Sequence, residues 1–359
     1  MSPLNLQIGS CKKGDSNTIA DVKGVSVGHC TLIQGEGPLI PGKGPVRTGV
    51  TAIIPHPGNV YQEKVLANCH VINGYCKPMG LIQVRELGVL ETPLVLTNTL
   101  SVGTAADALI QYMLDRNPDI GVTTGSVNPL VLECNDSYLN DIRGRHVRTD
   151  HVMSALANAH HDFEQGAVGA GTGMSAFEFK GGIGSSSRVA PVMDDTCMVG
   201  VLVLSNFGRR EDFIVSGIPV GKELVDWPEP GRTPEGEKGS IIMIVATDCH
   251  LTSRQLGRVA RRAGIGLART GGNSYHGSGD VVLAFSTAQK ILHDSDTIHE
   301  LKAVPDHLLN QVFTATAEAT EEAILNSLLH AKTTDGRDNR VRYHIPEEEL
   351  DAILRGCRL

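Results

Sequence analysis

Aromatic residues are scarce in this chain of 359 residues: Phe, Trp and Tyr make up 4%, with a single Trp. The 41% hydrophobic content must therefore fill its core with Val, Ile, Leu and Ala. Long apolar runs are missing too. None could cross a membrane as a helix, and residues 1–21 hold no apolar run of the signal-peptide kind. No basic excess exists: Lys and Arg number 32 against 40 Asp and Glu, a formal net charge of -8. That balance argues against a nucleic-acid partner. The short cluster Arg143, Arg145 and Arg148 reads as solvated surface. The eight cysteines form no C-x-x-C and no zinc-like spacing. They read as small core residues or free thiols in a reducing compartment. His29, His56 and His250 lack short paired spacing, and the adjacent His160 and His161 point apart on a helix, so histidine here reads as structural. The expectation is a soluble cytoplasmic protein with no metal, no cofactor and no membrane or nucleic-acid partner.

Glycine is plentiful, at 40 residues, and strand and helix patterns alternate. Alternation at Val22, Val25 and Val27 predicts a strand within residues 18–32. Further strands are expected at 49–55, 94–97, 197–204, 241–246 and 281–285. Helical spacing marks 102–114, with Ala105, Ala106, Leu109, Ile110 and Met113 on one face. Other helices are expected at 150–159, 252–268 and 305–331, the last with Leu308, Leu309, Val312 and Phe313 toward the core. Residues 166–184 are glycine-rich. Residues 219–238 hold four prolines and read as an exposed loop. This loop stops at Gly239-Ser240, where the most hydrophobic strand begins. No internal repeat is visible, and sheets between helix layers suit the order, in one α/β domain spanning 1–359.

Four constellations could carry chemistry, and each has a plainer reading. Gly239-Ser240 is either an ordinary loop dipeptide or a site of self-cleavage. In the second case the serine hydroxyl attacks the Gly239 carbonyl in an N→O acyl shift. Water then frees Ser240 as an N-terminal residue, whose α-amine titrates near ~7.7–8.0 and can serve as its base. Ser278-Gly279-Asp280 at the mouth of a strand is either a turn or a hydroxyl–carboxylate pair that relays a proton. His276 stands beside it. Asn206, just past a strand end, is either an Asx turn or an oxyanion donor. Glu133 is either part of an acidic loop or a partner for a substrate's amino group.

Taken together and in this order, these pieces resemble the DmpA-type aminopeptidases, which include the L-aminopeptidase/D-esterases and the β-peptidyl aminopeptidases. The resemblance runs over nearly the whole chain. It is carried by Ile19-Ala20-Asp21-Val22, Val27-Gly28-His29, Arg47-Thr48-Gly49-Val50-Thr51, Asn98-Thr99 with Ser101-Val102-Gly103, and Gly169 to Met174. Its most distinctive segment is Phe179-Lys180-Gly181-Gly182-Ile183-Gly184 with Ser186-Ser187-Arg188, followed by Gly239-Ser240-Ile241-Ile242 and Gly277-Ser278-Gly279-Asp280. The resemblance implies a four-layer αββα sandwich similar to N-terminal-nucleophile hydrolases, with different connectivity. It implies cleavage into 1–239 and 240–359, with Ser240 as nucleophile of both self-cleavage and hydrolysis. Ser278 and Asp280 would assist, Asn206 would hold the oxyanion, and Glu133 would bind the substrate amine. Asn135 and Tyr138 both lie near the position where some relatives place a tyrosine. Substrates would be small peptides, amino-acid amides or esters, and the assembly a tetramer of cleaved heterodimers.

Three rivals remain. Gly171-x-Gly173-x-x-Ala176 with Asp194 or Asp195 fits a relaxed dinucleotide fingerprint, although residues 161–165 make a poor preceding strand. The glycines read better as places where the backbone passes close to the nucleophile. An acyltransferase of the ornithine acetyltransferase type shares the implied architecture but uses an N-terminal threonine. A binding protein that never cleaves is the third.

Overall fold

The computed structural model describes residues 6–228, 239–293 and 296–357. The chain opens with β1 (Ser26–Gln34), β2 (Val46–Ile54) and β3 (Glu63–Gly74), then α1 (Leu81–Leu87), β4 (Val89–Leu90) and β5 (Leu94–Asn98). Next come α2 (Val102–Leu114), β6 (Leu130–Cys134) and α3 (Thr149–Ala157). Short strands β7 (Ser175–Ala176) and β8 (Phe179–Lys180) precede β9 (Gly182–Val192) and β10 (Asp195–Asn206). After α4 (Val220–Glu223) follow β11 (Gly239–Thr247), α5 (Ser253–Arg269), β12 (Ser278–Leu292) and α6 (Asn310–Leu329). The pair β13 (Thr334–Asp335) and β14 (Val341–Arg342) and then α7 (Glu347–Gly356) complete the order.

Two sheets form the centre: β1-β2-β5-β6, and β4-β3-β12-β11-β10-β9. Their facing sides meet through Ile53, Leu96 and Leu132 on one and Leu204, Ile244 and Leu283 on the other. The outer side of the six-stranded sheet buries Val201, Met243 and Val282 against Val259 and Ala263 of α5 and Val312 and Ala319 of α6. The outer side of the four-stranded sheet buries Val50, Val95 and Val131 against α2 and α3. The result is the expected αββα sandwich. It explains why β11 is apolar at every step: Ile242 and Ile244 face the other sheet while Ile241 and Met243 face the helices. β11 pairs antiparallel with β10 and parallel with β12, which α5 makes possible as a crossover.

Several expectations need correction. Val22 and Val25 are buried, but both follow a 3₁₀ turn (Ile19–Asp21), and the strand starts at Ser26. The last long helix starts at Asn310, after a separate turn at Asp306–Leu308; Leu309 and Val312 join the core and Leu308 does not. The start of the 219–238 loop is the short helix α4, and residues 229–238 lie outside the described residues. The glycine fingerprint leads into β7 and β8 and not into a helix, so the dinucleotide reading loses its structural context. Glycines of the 166–184 run meet backbone other than Ser240: a Cβ on Gly173 would sit 2.2 Å from the Arg47 carbonyl oxygen, and one on Gly184 would sit 2.0 Å from that of Ala323 in α6. No helix among the described residues is long and apolar enough to cross a membrane.

Candidate active site

Three adjacent strands and one strand of the facing sheet bring the four constellations together. Ser240 is the second residue of β11. The β10 register sets Asn206 opposite Ser240, and the β12 register sets Ser278 opposite Gly239 and Asp280 opposite Ile241. Glu133 comes from β6, whose register sets it opposite Thr97. Glu133, Asn206, Gly239, Ser240, Ser278 and Asp280 all line one cavity of about 520 Å³.

The Ser240 hydroxyl donates to the Gly239 carbonyl at 2.7 Å and accepts the Gly279 N–H at 3.2 Å. Gly239 is held tightly, since a Cβ there would lie 2.6 Å from both the Asn206 carbonyl oxygen and Phe207 Cα. The Gly239-Ser240 peptide is thus pressed against the end of β10, with the serine oxygen beside its carbonyl.

Asp280 is buried, and its Oδ1 accepts the Ser278 hydroxyl at 2.5 Å and the Ile241 N–H at 3.2 Å. Its Oδ2 is buried with no hydrogen bond of ordinary geometry, although the Ser274 hydroxyl is close enough to favour the charge. Burial outweighs these contacts and pushes the carboxyl above its usual range. A carboxyl of that kind binds a proton more readily than a solvated one.

Glu133 is 2% exposed, its Oε1 accepting the Lys77 N–H at 2.8 Å and its Oε2 accepting the Thr99 hydroxyl. Both oxygens are therefore fixed in place at the cavity wall. Asn206 is fixed equally well. Its Oδ1 accepts the Ser175 N–H at 2.9 Å, and its amide donates to the Asn135 carbonyl at 2.9 Å. An amide nitrogen carries two hydrogens, so one donor is left for a substrate oxygen. Asn135 is thereby tied to Asn206. Tyr138 has the Arg342 guanidinium 3.5 Å and the Arg340 guanidinium 5.1 Å from its ring centre.

Several contributors were not foreseen. Thr99 and the Lys77 backbone orient Glu133, and Thr99 was legible only as part of a family motif. Lys180 is fully buried and donates to the carbonyls of Gly171 (2.9 Å), Met174 (2.7 Å) and Gly181 (2.6 Å). It pins the loop that presents the Ser175 N–H to Asn206. Burial, helped by Arg342, lowers its ammonium to about 7, with Asp136 opposing. Arg337, Arg340 and Arg342 also line the cavity, from the β13–β14 region. Their basic spacing was readable, but nothing placed it near Ser240. Arg188, in the most distinctive family segment, lies outside the cavity: fully buried, it pairs with Glu322 of α6 at 2.5 Å.

A sandwich of this kind, with a serine opening a central strand and a hydroxyl–carboxylate pair on its parallel neighbour, defines the class as a hydrolase of N-terminal-nucleophile type. Residues 17–342 match Peptidase family S58, and the chain belongs to that family. It is 39% identical to beta-peptidyl aminopeptidase BapA of Sphingosinicella microcystinivorans over 361 residues, covering 97% of this chain and 90% of that protein. Among solved structures, the PH0078 protein of Pyrococcus horikoshii OT3 superposes with a TM-score of 0.95 at 64% identity, covering 99% of this chain and 98% of that one. The L-aminopeptidase D-Ala-esterase/amidase of Ochrobactrum anthropi superposes with a TM-score of 0.89 at 35% identity, covering 97% and 96% of the two chains. It is described as a prototype for the serine aminopeptidases and a variant of the Ntn hydrolase fold. The chain is accordingly a peptide-bond hydrolase, of the aminopeptidase kind that its sequence resembles.

Proposed function

We propose that the chain cuts itself between Gly239 and Ser240 and then removes N-terminal residues from small peptides, amides or esters through an acyl-enzyme on Ser240. The observation that carries this reading is the position of Ser240. Its hydroxyl lies 2.7 Å from the carbonyl oxygen of the peptide before it, between Asn206 on one strand and Ser278 and Asp280 on the other.

In self-cleavage the hydroxyl oxygen turns from the Gly239 oxygen to its carbon, and the Gly239 acyl group passes from the Ser240 nitrogen to its oxygen while the hydroxyl proton ends on that nitrogen. Water hydrolyses the ester and leaves the Ser240 α-amine free. In turnover the substrate's ammonium pairs with Glu133, whose fixed oxygens set the position of the first carbonyl. Ser240 attacks, and its own amine, or Ser278 with Asp280, takes the proton. Asn206 holds the oxyanion with its free N–H, the leaving amine takes the proton back, and water resolves the acyl-enzyme. These steps use only groups on the chain.

We further propose a cytoplasmic homo-oligomer of cleaved heterodimers, favouring a tetramer. Exposed apolar side chains at Val71, Met79, Ile82 and Leu87 support an interface on that stretch. Light scattering on the purified protein reads the assembly directly.

Intact masses under denaturing conditions decide the central claim. Wild type should give two fragments meeting at Gly239/Ser240, and Ser240→Ala a single chain without aminopeptidase activity. An uncut wild type that still hydrolyses aminoacyl amides would rule out the N-terminal nucleophile.

A further inference from the structure

Cys197 and Cys249 are far apart in sequence and fall on opposite sides of the proposed cut. The β10–β11 register runs from Asn206 opposite Ser240 to Val199 opposite Thr247. It continues one step, as the Asp248 N–H donates to the Met198 carbonyl at 3.4 Å and the Met198 N–H to the Asp248 carboxylate at 2.7 Å. One step further along the same register, Cys197 of β10 faces Cys249, which lies two residues past the end of β11. Residues opposite each other on antiparallel strands have Cα atoms about 4.5–5.5 Å apart. Disulfides span about 4.4–6.8 Å between Cα atoms. Both thiols lie on the helix-facing side of the sheet, Cys249 within its core and Cys197 packed against it. Among the described residues no two cysteines are partners within the paired strands, and this is the one pair that an extension of a strand register brings opposite each other.

We propose that Cys197 and Cys249 are a disulfide-forming pair that joins the two halves of the chain across the active-site sheet. In this structure both are thiols. The hydrogen bond from Cys249, the chief influence on Cys197, holds its thiol below the ordinary range, while the same bond and burial push Cys249 upward. Cys197 is also the more exposed of the two, and so is the sulfur that meets an oxidant. The oxidant is a low-molecular-weight disulfide such as glutathione disulfide. The Cys197 thiolate attacks one of its sulfurs and releases one glutathione. The Cys249 thiolate then attacks the Cys197 sulfur of the mixed disulfide and releases the second. Two protein thiols are oxidised, one external disulfide is reduced, and the two protons end on the two glutathiones. The bond itself does not depend on self-cleavage; its role as a tether between fragments rests on the function proposed above.

The test treats wild type, Cys197→Ala and Ser240→Ala with glutathione disulfide, then denatures and alkylates without reductant. Wild type should run as one covalent species that separates into 1–239 and 240–359 on reduction, whereas Cys197→Ala should give two fragments in both conditions. Uncut Ser240→Ala should lose about 2 Da and two alkylatable thiols, and its digest should contain a reducible peptide pair carrying Cys197 and Cys249. That last readout stands whether or not the chain cleaves itself, and it decides the matter if Cys197→Ala does not fold. Alkylation of both cysteines in the oxidised protein, or their bonding to other partners, would overturn the proposal.

Discussion

Asn206 shows how much one side chain can carry in this site. Its carbonyl is fixed by Ser175 and one N–H by Asn135, so the other N–H has no freedom to turn away. Asn206→Ala should lower kcat by about 10²–10³-fold, as removal of a preorganised oxyanion donor does. The role proposed for Glu133 comes earlier in the cycle. Glu133→Gln should reduce kcat/KM by about 10- to 100-fold for substrates with a free amine, the worth of a hydrogen bond to a charged group. Stopped-flow or steady-state assays on one aminoacyl amide separate the two effects. With Ser278 and Asp280 as the proton acceptor proposed above, the rate should fall, as pH drops, at a pH above the ordinary 3.8 of an aspartate; with the Ser240 amine as acceptor it should fall nearer ~7.7–8.0. Asp136 offers a test of stability. Burial raises its carboxyl from 3.8 to about 7, so the fold keeps a proton that the unfolded chain has released. Between about pH 4 and 7 this group therefore costs stability as pH rises. Asp136→Asn removes the cost, and its Tm relative to wild type should climb across that window.

At the level of elements, legibility followed burial. β11 and α2 were plain in the sequence because one is apolar throughout and the other carries a clear helical face. β9 was not. Its Ser185, Ser186, Ser187 and Arg188 are all fully buried, which no hydrophobic pattern announces. Their partners are distant: Ser185 takes the Ile19 N–H, Ser187 donates to Asp21, and Arg188 reaches Glu322. β3 was hidden for the opposite reason, since many of its residues are only half covered. Ser240, Ser278, Asp280, Asn206 and Glu133, which the structure brings to one cavity, could be picked out because each stands at a strand end and matches the family pattern. Lys180 and Thr99 were missed because what they do depends on loops folding back over β10 and β6. Glycine makes a further point at this scale. Gly184→Ala would drive a methyl into the Ala323 carbonyl, pushing α6 off the sheet, and should cost about 1–3 kcal/mol in chemical denaturation. Gly239→Ala should instead slow self-cleavage, visible as a lasting uncut band, because the scissile peptide would be forced away from Asn206 and Phe207.

For the whole molecule, the cut would fall inside the fold without dividing it. β11 stays between β10 and β12, and α6 of the smaller fragment is clasped by the N-terminal segment of the larger. Glu318 accepts the N–H groups of Ser10 and Cys11, and Lys13 and Arg188 pair with Glu322. The cleaved protein should therefore keep its native mass on size exclusion and release its fragments only in denaturant. The order of the strands also fixes a sequence of events during synthesis. Ser278 and Asp280, on β12 beside Ser240, leave the ribosome after it, and α6, the second of the two helices that cover that sheet, leaves later still. A growing chain thus holds Ser240 before the β12 groups beside it exist, and the cavity that they share should stay incomplete until β12 and α6 are in place.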